Sequence, residues 1–341
     1  MRVWDIPSAR GFSPRIPLVV VGALRSGGSG KTSVVLALAR ELSGRGLRPA
    51  ILAYRLGPGD ARSNRTGDPL EIREDGDWRE TSEEAVLLRR ESGLRVFVTR
   101  NRASAWRRLH EDRFQADGAF DILLSDDGFQ DPRLHGSLRL LLSAPGERPG
   151  LFDLLPGGPF RETRRAAARA HLRLEGPFST IPSSPSAPDR KPPGYPGNVT
   201  PVIPMGAGPQ GSEAPSALPF RRRLIPPPGF DCARTWIVCC ALGDNRPFLA
   251  DLERLGVRPV AVITGRNHAP PPLKKLQAAL TKHPDAGILC TRKDSLKLEA
   301  ASPGLPLYPM GQVLDLDPEI PASVMAWRLL PANRYLVHYP G

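Results

Sequence analysis

The sequence predicts an α/β protein: a doubly wound, mostly parallel sheet followed by a second, smaller α/β half. Three observations carry that prediction. Short, unbroken apolar runs alternate with helix-patterned stretches through the first half of the chain. A glycine-rich turn joins the first apolar run directly to the first helix. The same alternation resumes after a Pro-, Ser- and Gly-rich stretch near the middle.

Residues 17–22 (PLVVVG) have the pattern of a strand buried on both faces. Residues 32–43 follow as a helix, with Gly44 as its natural stop. Further strands are expected over 48–54, 94–98, 120–125 and 138–143, and helices over 83–91 and 102–111. From 176 to about 219 the pattern collapses (PSSPSAPDRKPPGYPGN). Such a composition buries too little apolar surface to offset its ordering entropy, so residues 176–222 are expected to be a linker or insert. Beyond it, 235–242, 259–264 and 286–291 predict strands, and 246–255 and 273–282 helices. The expected organisation is a larger unit over 1–175, the insert, and a smaller α/β unit over 223–341.

At 341 residues the chain suits two domains of ordinary size, and its 40% apolar content suffices for a sizeable core. The net charge of +12, mostly arginine, favours anionic partners such as phosphates, an acidic membrane or nucleic acid. Only 6% of residues are aromatic and no nucleic-acid module is recognisable, which argues against nucleic acid. Cys232, Cys239, Cys240 and Cys290 lack metal-ligand spacing. They are expected to be reduced core residues, and with them a cytosolic setting. No apolar run is long enough to span a membrane, and residues 1–15 do not have the pattern of a secretory signal.

The strongest local signal is Ser26-Gly27-Gly28-Ser29-Gly30-Lys31-Thr32, set between a buried strand and a helix. Glycines let backbone N–H groups curl around phosphate oxygens, and the helix N-terminus adds its positive dipole end. Lys31 would reach the β- and γ-phosphates and Thr32 would hold Mg²⁺. The glycine that usually opens such a P-loop is Arg25 here. The alternative is a glycine-rich strand-to-helix turn without a ligand, and the buried strand ahead of it weighs against that. A second signal is the apolar strand ending in Ser125-Asp126-Asp127-Gly128, where a P-loop enzyme needs a carboxylate for Mg²⁺. Alone it is equally a polar turn. Thr291-Arg292-Lys293-Asp294 has its Lys and Asp adjacent, which speaks against a guanine-reading loop and a standard GTPase.

In order along the chain, these pieces resemble the tetraacyldisaccharide 4'-kinase family, the lipid A precursor kinases. The resemblance runs through VVVGALRSGGSGKTS (19–33), SEEAVLLRRESGLRVFVTRNR (82–102), LLSDDGFQDPRL (123–134) and LLPGGPFRE (154–162). It continues through ALGDNRPF (241–248), GRNHAPP (265–271) and TRKDSLKL (291–298). It implies two α/β domains facing each other across a cleft. It also implies transfer of a phosphoryl group from ATP, with Mg²⁺, to the 4'-hydroxyl of a lipid A disaccharide precursor. The site of action would be the cytoplasmic face of the inner membrane of Gram-negative bacteria, reached peripherally.

Carried over residue by residue, the resemblance assigns Gly27, Gly28, Ser29, Gly30, Lys31 and Thr32 to the nucleotide. It assigns Thr32, Asp126 and Asp127 to the metal. The family's Gly-Asp-Glu-Pro motif, whose Asp is the base, falls on Ser82-Glu83-Glu84-Ala85, so Glu83 is the implied base. The family's histidine from the second domain falls on His268. Arg161 lies in the family's Leu-Leu-Pro motif and is expected to face the ATP phosphates or the lipid's phosphate. Arg164, Arg165, Arg169 and Arg173, on an expected helix, could grip anionic headgroups at about 1 kcal/mol each. Taken alone, Glu83 and Glu84 equally suit the first turn of a helix, and His268 a loop before a proline run. The family's Asn after the first strand is Ala23 here, and the N-terminal hydrophobic helix of many members is not apparent. The rival readings are a divergent P-loop ATPase or GTPase, and a kinase homologue with impaired catalysis.

Overall fold

The computed structural model describes residues 16–54, 68–73, 82–115, 119–134, 136–179, 217–242, 244–265 and 272–329. The strand β1 (Leu18–Ala23) is buried at every position, as an unbroken LVVVGA run demands. It leads into α1 (Lys31–Gly44), which buries Val34, Val35, Leu38 and Leu42 at helical spacing. Then come β2 (Pro49–Tyr54) and the two-residue β3 (Leu70–Glu71). Next are α2 (Glu83–Ser92), capped by Ser82, and β4 (Val96–Thr99). The short helices α3 (Arg102–Arg108) and α4 (Asp112–Gln115) lead to β5 (Ile122–Asp126) and β6 (Leu138–Ser143).

β7 (Leu172–Ser179) and β8 (Leu218–Ile225) stand at the two ends of the stretch expected as an insert. The later elements are β9 (Trp236–Cys240), α5 (Arg246–Arg254), β10 (Ala261–Thr264), α6 (Leu273–Lys282) and β11 (Gly287–Thr291). The chain then forms α7 (Arg292–Ala301), β12 (Leu307–Leu316) and α8 (Glu319–Arg328).

Among the described residues the strands join in the order β10-β9-β11-β12-β8-β7-β6-β1-β5-β2-β4-β3. Pairing is parallel except at β12/β8 and β3/β4. The ten-residue β12 bridges the halves. Its Leu307–Met310 stretch pairs with β11, and Gly311–Leu316 pairs antiparallel with β8. Helices on both faces bury the strands. One layer packs Val34, Leu38 and Leu42 of α1 on Val19, Val21 and Leu124. The opposite layer packs Trp106 and Leu109 on Leu18, Phe97 and Leu123.

Two expectations need correction. Residues 161–173 do not form a helix: a single 3-10 segment (Arg164–Arg169) is followed by β7. Ala167 packs with Phe129 and Phe160, and the chain must re-enter the sheet beside β6, so tertiary packing overrides the Ala/Arg helix propensity. Cys232 is exposed, unlike Cys239, Cys240 and Cys290. It sits in the turn before β9 rather than in the strand. No helix among the described residues is long and apolar enough to cross a membrane.

Candidate active site

The chain leaves β1 and enters α1 through a turn that only glycine suits. Gly27 (φ 77°), Gly28 (φ 65°) and Gly30 (φ 76°) all lie in the left-handed region, where an L side chain costs about 1–2 kcal/mol. Gly30 is the N-cap of α1 and no side chain caps the helix. The first amide groups are therefore left to an anion, at the positive end of the helix dipole. Lys31 Nζ donates to Ser29 Oγ at 3.0 Å, folding the ammonium over the same loop.

At the carboxyl end of the adjacent β5, Thr32 Oγ1 donates to Asp126 Oδ2 at 2.8 Å. Asp126 is 7% exposed, and its Oδ1 is buried without a hydrogen-bond partner. Burial pushes this carboxyl up to about 6, against the Thr32 hydrogen bond, with the Asp127 charge adding to the rise and Lys31 and Arg102 opposing it. A buried carboxylate beside a threonine hydroxyl, with one oxygen orphaned, fits a divalent cation that takes its other ligands from phosphate oxygens and water.

Asp127 diverges from its neighbour. Its φ of 67° turns the side chain elsewhere. Arg161 Nη1 donates to its Oδ2 at 2.8 Å, and its Oδ1 accepts from Gly128 N at 3.0 Å. Burial would raise this carboxyl, but Lys31 and Arg161 hold it below the usual carboxylate range. Of the residues assigned to the metal, Thr32 and Asp126 are thus brought together, while Asp127 is engaged by Arg161. Arg161 is locked in place through its backbone, which donates to Leu24 O at 2.7 Å.

Glu83 is the first residue of α2. Its side chain, like the whole of His268, lies outside the described residues. What fixes the start of α2 is visible. Ser82 Oγ accepts from Ala85 N at 3.1 Å. From the second half, Lys293 Nζ donates to Glu84 Oε1 at 2.8 Å, and Arg292 pairs with Glu91 at 3.1 Å. Thr291 caps α7, and the buried Asp294 accepts from Thr291 Oγ1 (2.7 Å) and Ala241 N (3.2 Å). The Thr291–Asp294 stretch therefore anchors a helix start.

Several residues that the sequence did not single out complete the site. Arg102 Nη2 donates to the Asp126 carbonyl at 3.0 Å and stacks its guanidinium over Tyr54. Burial lowers its pKa. Gln130 Nε2 donates to Ala23 O at 3.0 Å, and its Oε1 accepts from Arg161 at 3.3 Å, tying the two loops together. The β9–α5 loop comes over the glycine-rich turn, so a Cβ added at Gly28 would lie 3.9 Å from Asp244 N. Gln130 belongs to the Asp-Asp-Gly-x-Gln run, which was its only signal in sequence. Arg102 and Asp244 lie in the 82–102 and 241–248 stretches of the same resemblance, which gave neither a role.

Residues 5–327 match the profile of the family described as LpxK, tetraacyldisaccharide-1-P 4'-kinase. The chain is 30% identical over 346 residues to the tetraacyldisaccharide 4'-kinase of Verminephrobacter eiseniae, covering 94% of this chain and 66% of that protein. It is 38% identical over 147 residues to the one from Acidovorax sp. (strain JS42), 43% of this chain and 40% of that protein. Against the one from Anaeromyxobacter sp. (strain K) the identity is 34% over 306 residues, with 86% and 76% covered. The chain thus spans less than two thirds of the length of the first two. The fold is similar to the crystal structure of "apo" form LpxK from Aquifex aeolicus in complex with ATP. The TM-score is 0.58 at 22% identity, covering 92% of this chain and 88% of that one. The profile extends over nearly the whole chain, and this protein belongs to the tetraacyldisaccharide-1-P 4'-kinase family.

Proposed function

We propose that the protein transfers the γ-phosphoryl group of ATP to the 4'-hydroxyl of tetraacyldisaccharide 1-phosphate. The observation that carries the reading is the Thr32–Asp126 pair, 2.8 Å apart beneath the glycine cradle, with the second Asp126 oxygen orphaned. A nucleotide-binding P-loop needs such a pair, and a bare structural turn has no use for it.

The cradle amides of residues 27–30 would hold the β- and γ-phosphates, and Lys31 would leave Ser29 to reach the γ-oxygens. Thr32 and Asp126 would hold Mg²⁺, which would supply positive charge to offset that of the phosphates. Arg161, braced by Asp127 and Gln130, offers the rest of its guanidinium to a phosphate at the rim. The acceptor oxygen attacks phosphorus as the bond to the ADP oxygen breaks. The hydroxyl proton goes to the carboxylate of Glu83, with His268 approaching from the second half. Glu83 reaches one methylene further than the Asp usual in the family, and α2 must be held where that longer reach is productive. The protein would work peripherally at the anionic inner face of the inner membrane, where its acceptor resides and its surplus arginines find counter-charge.

The test is transfer of label from Mg-[γ-³²P]ATP to tetraacyldisaccharide 1-phosphate in detergent micelles. Wild type is expected to label the lipid and Lys31→Ala is not. Glu83→Gln is expected to lower turnover strongly with ATP affinity near normal. Labelling by Lys31→Ala equal to wild type would remove the P-loop from the mechanism. Nucleotide binding without lipid labelling would mean another acceptor or a kinase that has lost its chemistry.

A further inference from the structure

Three of the four most exposed large apolar side chains among the described residues sit together on one loop beside the phosphate cradle. Phe152 is 98% exposed, Leu151 75% and Leu155 54%. The loop that presents them is held by its own backbone. Phe160 N donates to Asp153 O at 3.0 Å, Leu155 N to Phe160 O at 2.8 Å, and Gly158 N to Leu154 O at 2.8 Å. A Cβ at Gly158 would fall 2.3 Å from Asp153 O, so the turn closes on glycine alone. Phe160 is buried with Leu24, Phe129, Leu141 and Ala167, and Leu154 packs against them. With Leu154 and Phe160 turned inward, Leu151, Phe152 and Leu155 of a well-anchored loop are left in water.

Charge surrounds this tip. Arg148, Arg164 and Arg165 are exposed, and Arg164 is brought to the loop's base by its N–H to Pro149 O at 3.1 Å. No ion pair engages these three among the described residues. The nearby acids are already occupied: Asp153 accepts from Gly150 N at 2.8 Å, and Glu147 pairs with Arg25 at 2.8 Å. The tip is rigidly coupled to the cradle, because Ser26 N donates to Pro159 O at 2.8 Å and Arg25 bridges Phe160.

We infer that the Leu151–Phe152–Leu155 tip inserts into the interfacial layer of an anionic phospholipid bilayer, with Arg148, Arg164 and Arg165 on the headgroups. A protruding Leu-Phe pair within an arginine collar matches an apolar layer beneath a negative surface. The connection to Ser26 then sets the phosphate cradle at headgroup height, where a lipid's sugar hydroxyl is presented. This inference rests on the reading of the acceptor as a membrane lipid, but binding itself requires neither ATP nor acceptor.

The test is flotation of the full chain with vesicles of 3:1 phosphatidylcholine to phosphatidylglycerol and with pure phosphatidylcholine, without nucleotide. Wild type is expected to float with the anionic vesicles. Leu151→Ser/Phe152→Ser is expected to lower the partition constant by tenfold or more, since burying each such side chain is worth about that much. Arg148→Gln/Arg164→Gln/Arg165→Gln is expected to abolish the preference for anionic vesicles. Unchanged flotation of the Leu151/Phe152 variant would overturn the inference. So would failure of wild type to float with either vesicle. Transfer to acceptor in detergent micelles separates the two readings: the Leu151/Phe152 variant should retain it, and its absence from wild type would count against the kinase alone.

Discussion

Replacing Asp126 by Asn should make the empty protein more stable while removing its activity. The carboxyl is pushed from 3.8 to about 6 in the fold. Because the folded pKa is the higher one, the folded state holds the proton more tightly than the unfolded chain between those values. Stability therefore falls as pH rises from about 4 to 6, and the loss is complete above 6. The interval corresponds to about 3 kcal/mol. Asn keeps the shape and can still accept from Thr32, though as a neutral acceptor it returns about 1 kcal/mol less. The expected gain at pH 7.5 is then on the order of 2 kcal/mol, shrinking towards zero near pH 4, where wild type is itself protonated.

Urea unfolding in EDTA across pH 4–8 measures both limbs. Adding Mg-ATP should reverse the order, because a ligand that binds only the native state stabilises wild type by mass action and has lost its anchor in the variant. A variant no more stable than wild type at pH 7.5 in EDTA would mean that the orphaned oxygen is well solvated and that the site lacks the strain a cation would relieve.

Three further outcomes follow from the same structure. His171 Nδ1 accepts from Arg139 N at 3.0 Å, and burial, with Arg139 adding, pushes its pKa down to about 4. Stability should be whole above pH 6.5 and fall by about 3 kcal/mol as pH drops towards 4, a slope that His171→Gln should remove in denaturant titrations. Phe129 is fully buried with its Cβ against Gly22, so Phe129→Ala should cost about 3–5 kcal/mol by urea unfolding, and a loss under 1 kcal/mol would mean that the loop collapses into the gap. A double-mutant cycle on Glu84 and Lys293, whose half-buried side chains meet at 2.8 Å, should give a coupling of about 0.5–1 kcal/mol that weakens with salt.

The elements legible in the sequence are those buried on both faces. β1, β2, β5, β6 and β9 are short, mostly apolar runs, with Arg139 inside β6 and Ser125-Asp126 ending β5, and each lies within two residues of where its run predicts. The strands that escaped notice bury one face or sit at a seam. β8 (LPFRRRLI) carries a proline and three arginines and buries only every few positions. β12 contains Pro309 and Gly311 because it changes partners midway, from β11 to β8. α7 is polar on most of its surface, and its start is fixed by the Thr291 cap rather than by an apolar stripe. In the site, the glycines and the Lys-Thr pair were legible because the conformation demands them. The division of labour between Asp126 and Asp127 was not, since it depends on a left-handed backbone at Asp127 that a carboxylate tolerates but does not announce.

The shared strand explains how the second half can belong to the site at all. The cradle after β1, the Asp126 carboxylate ending β5, the Asp244 loop after β9 and the cap of α7 after β11 all stand at the carboxyl ends of parallel strands, where open α/β sheets place their ligands. β12 continues from one set of strands into the other, and its Gln312 donates to Ser33 of α1 at 2.7 Å. The Lys293–Glu84 and Arg292–Glu91 pairs also cross from the second half to the first. Those pairs hold the helix that begins at Glu83. Weakening them should therefore alter turnover more than nucleotide affinity, because the cradle is built wholly within the first half while the position of the proposed base depends on the second.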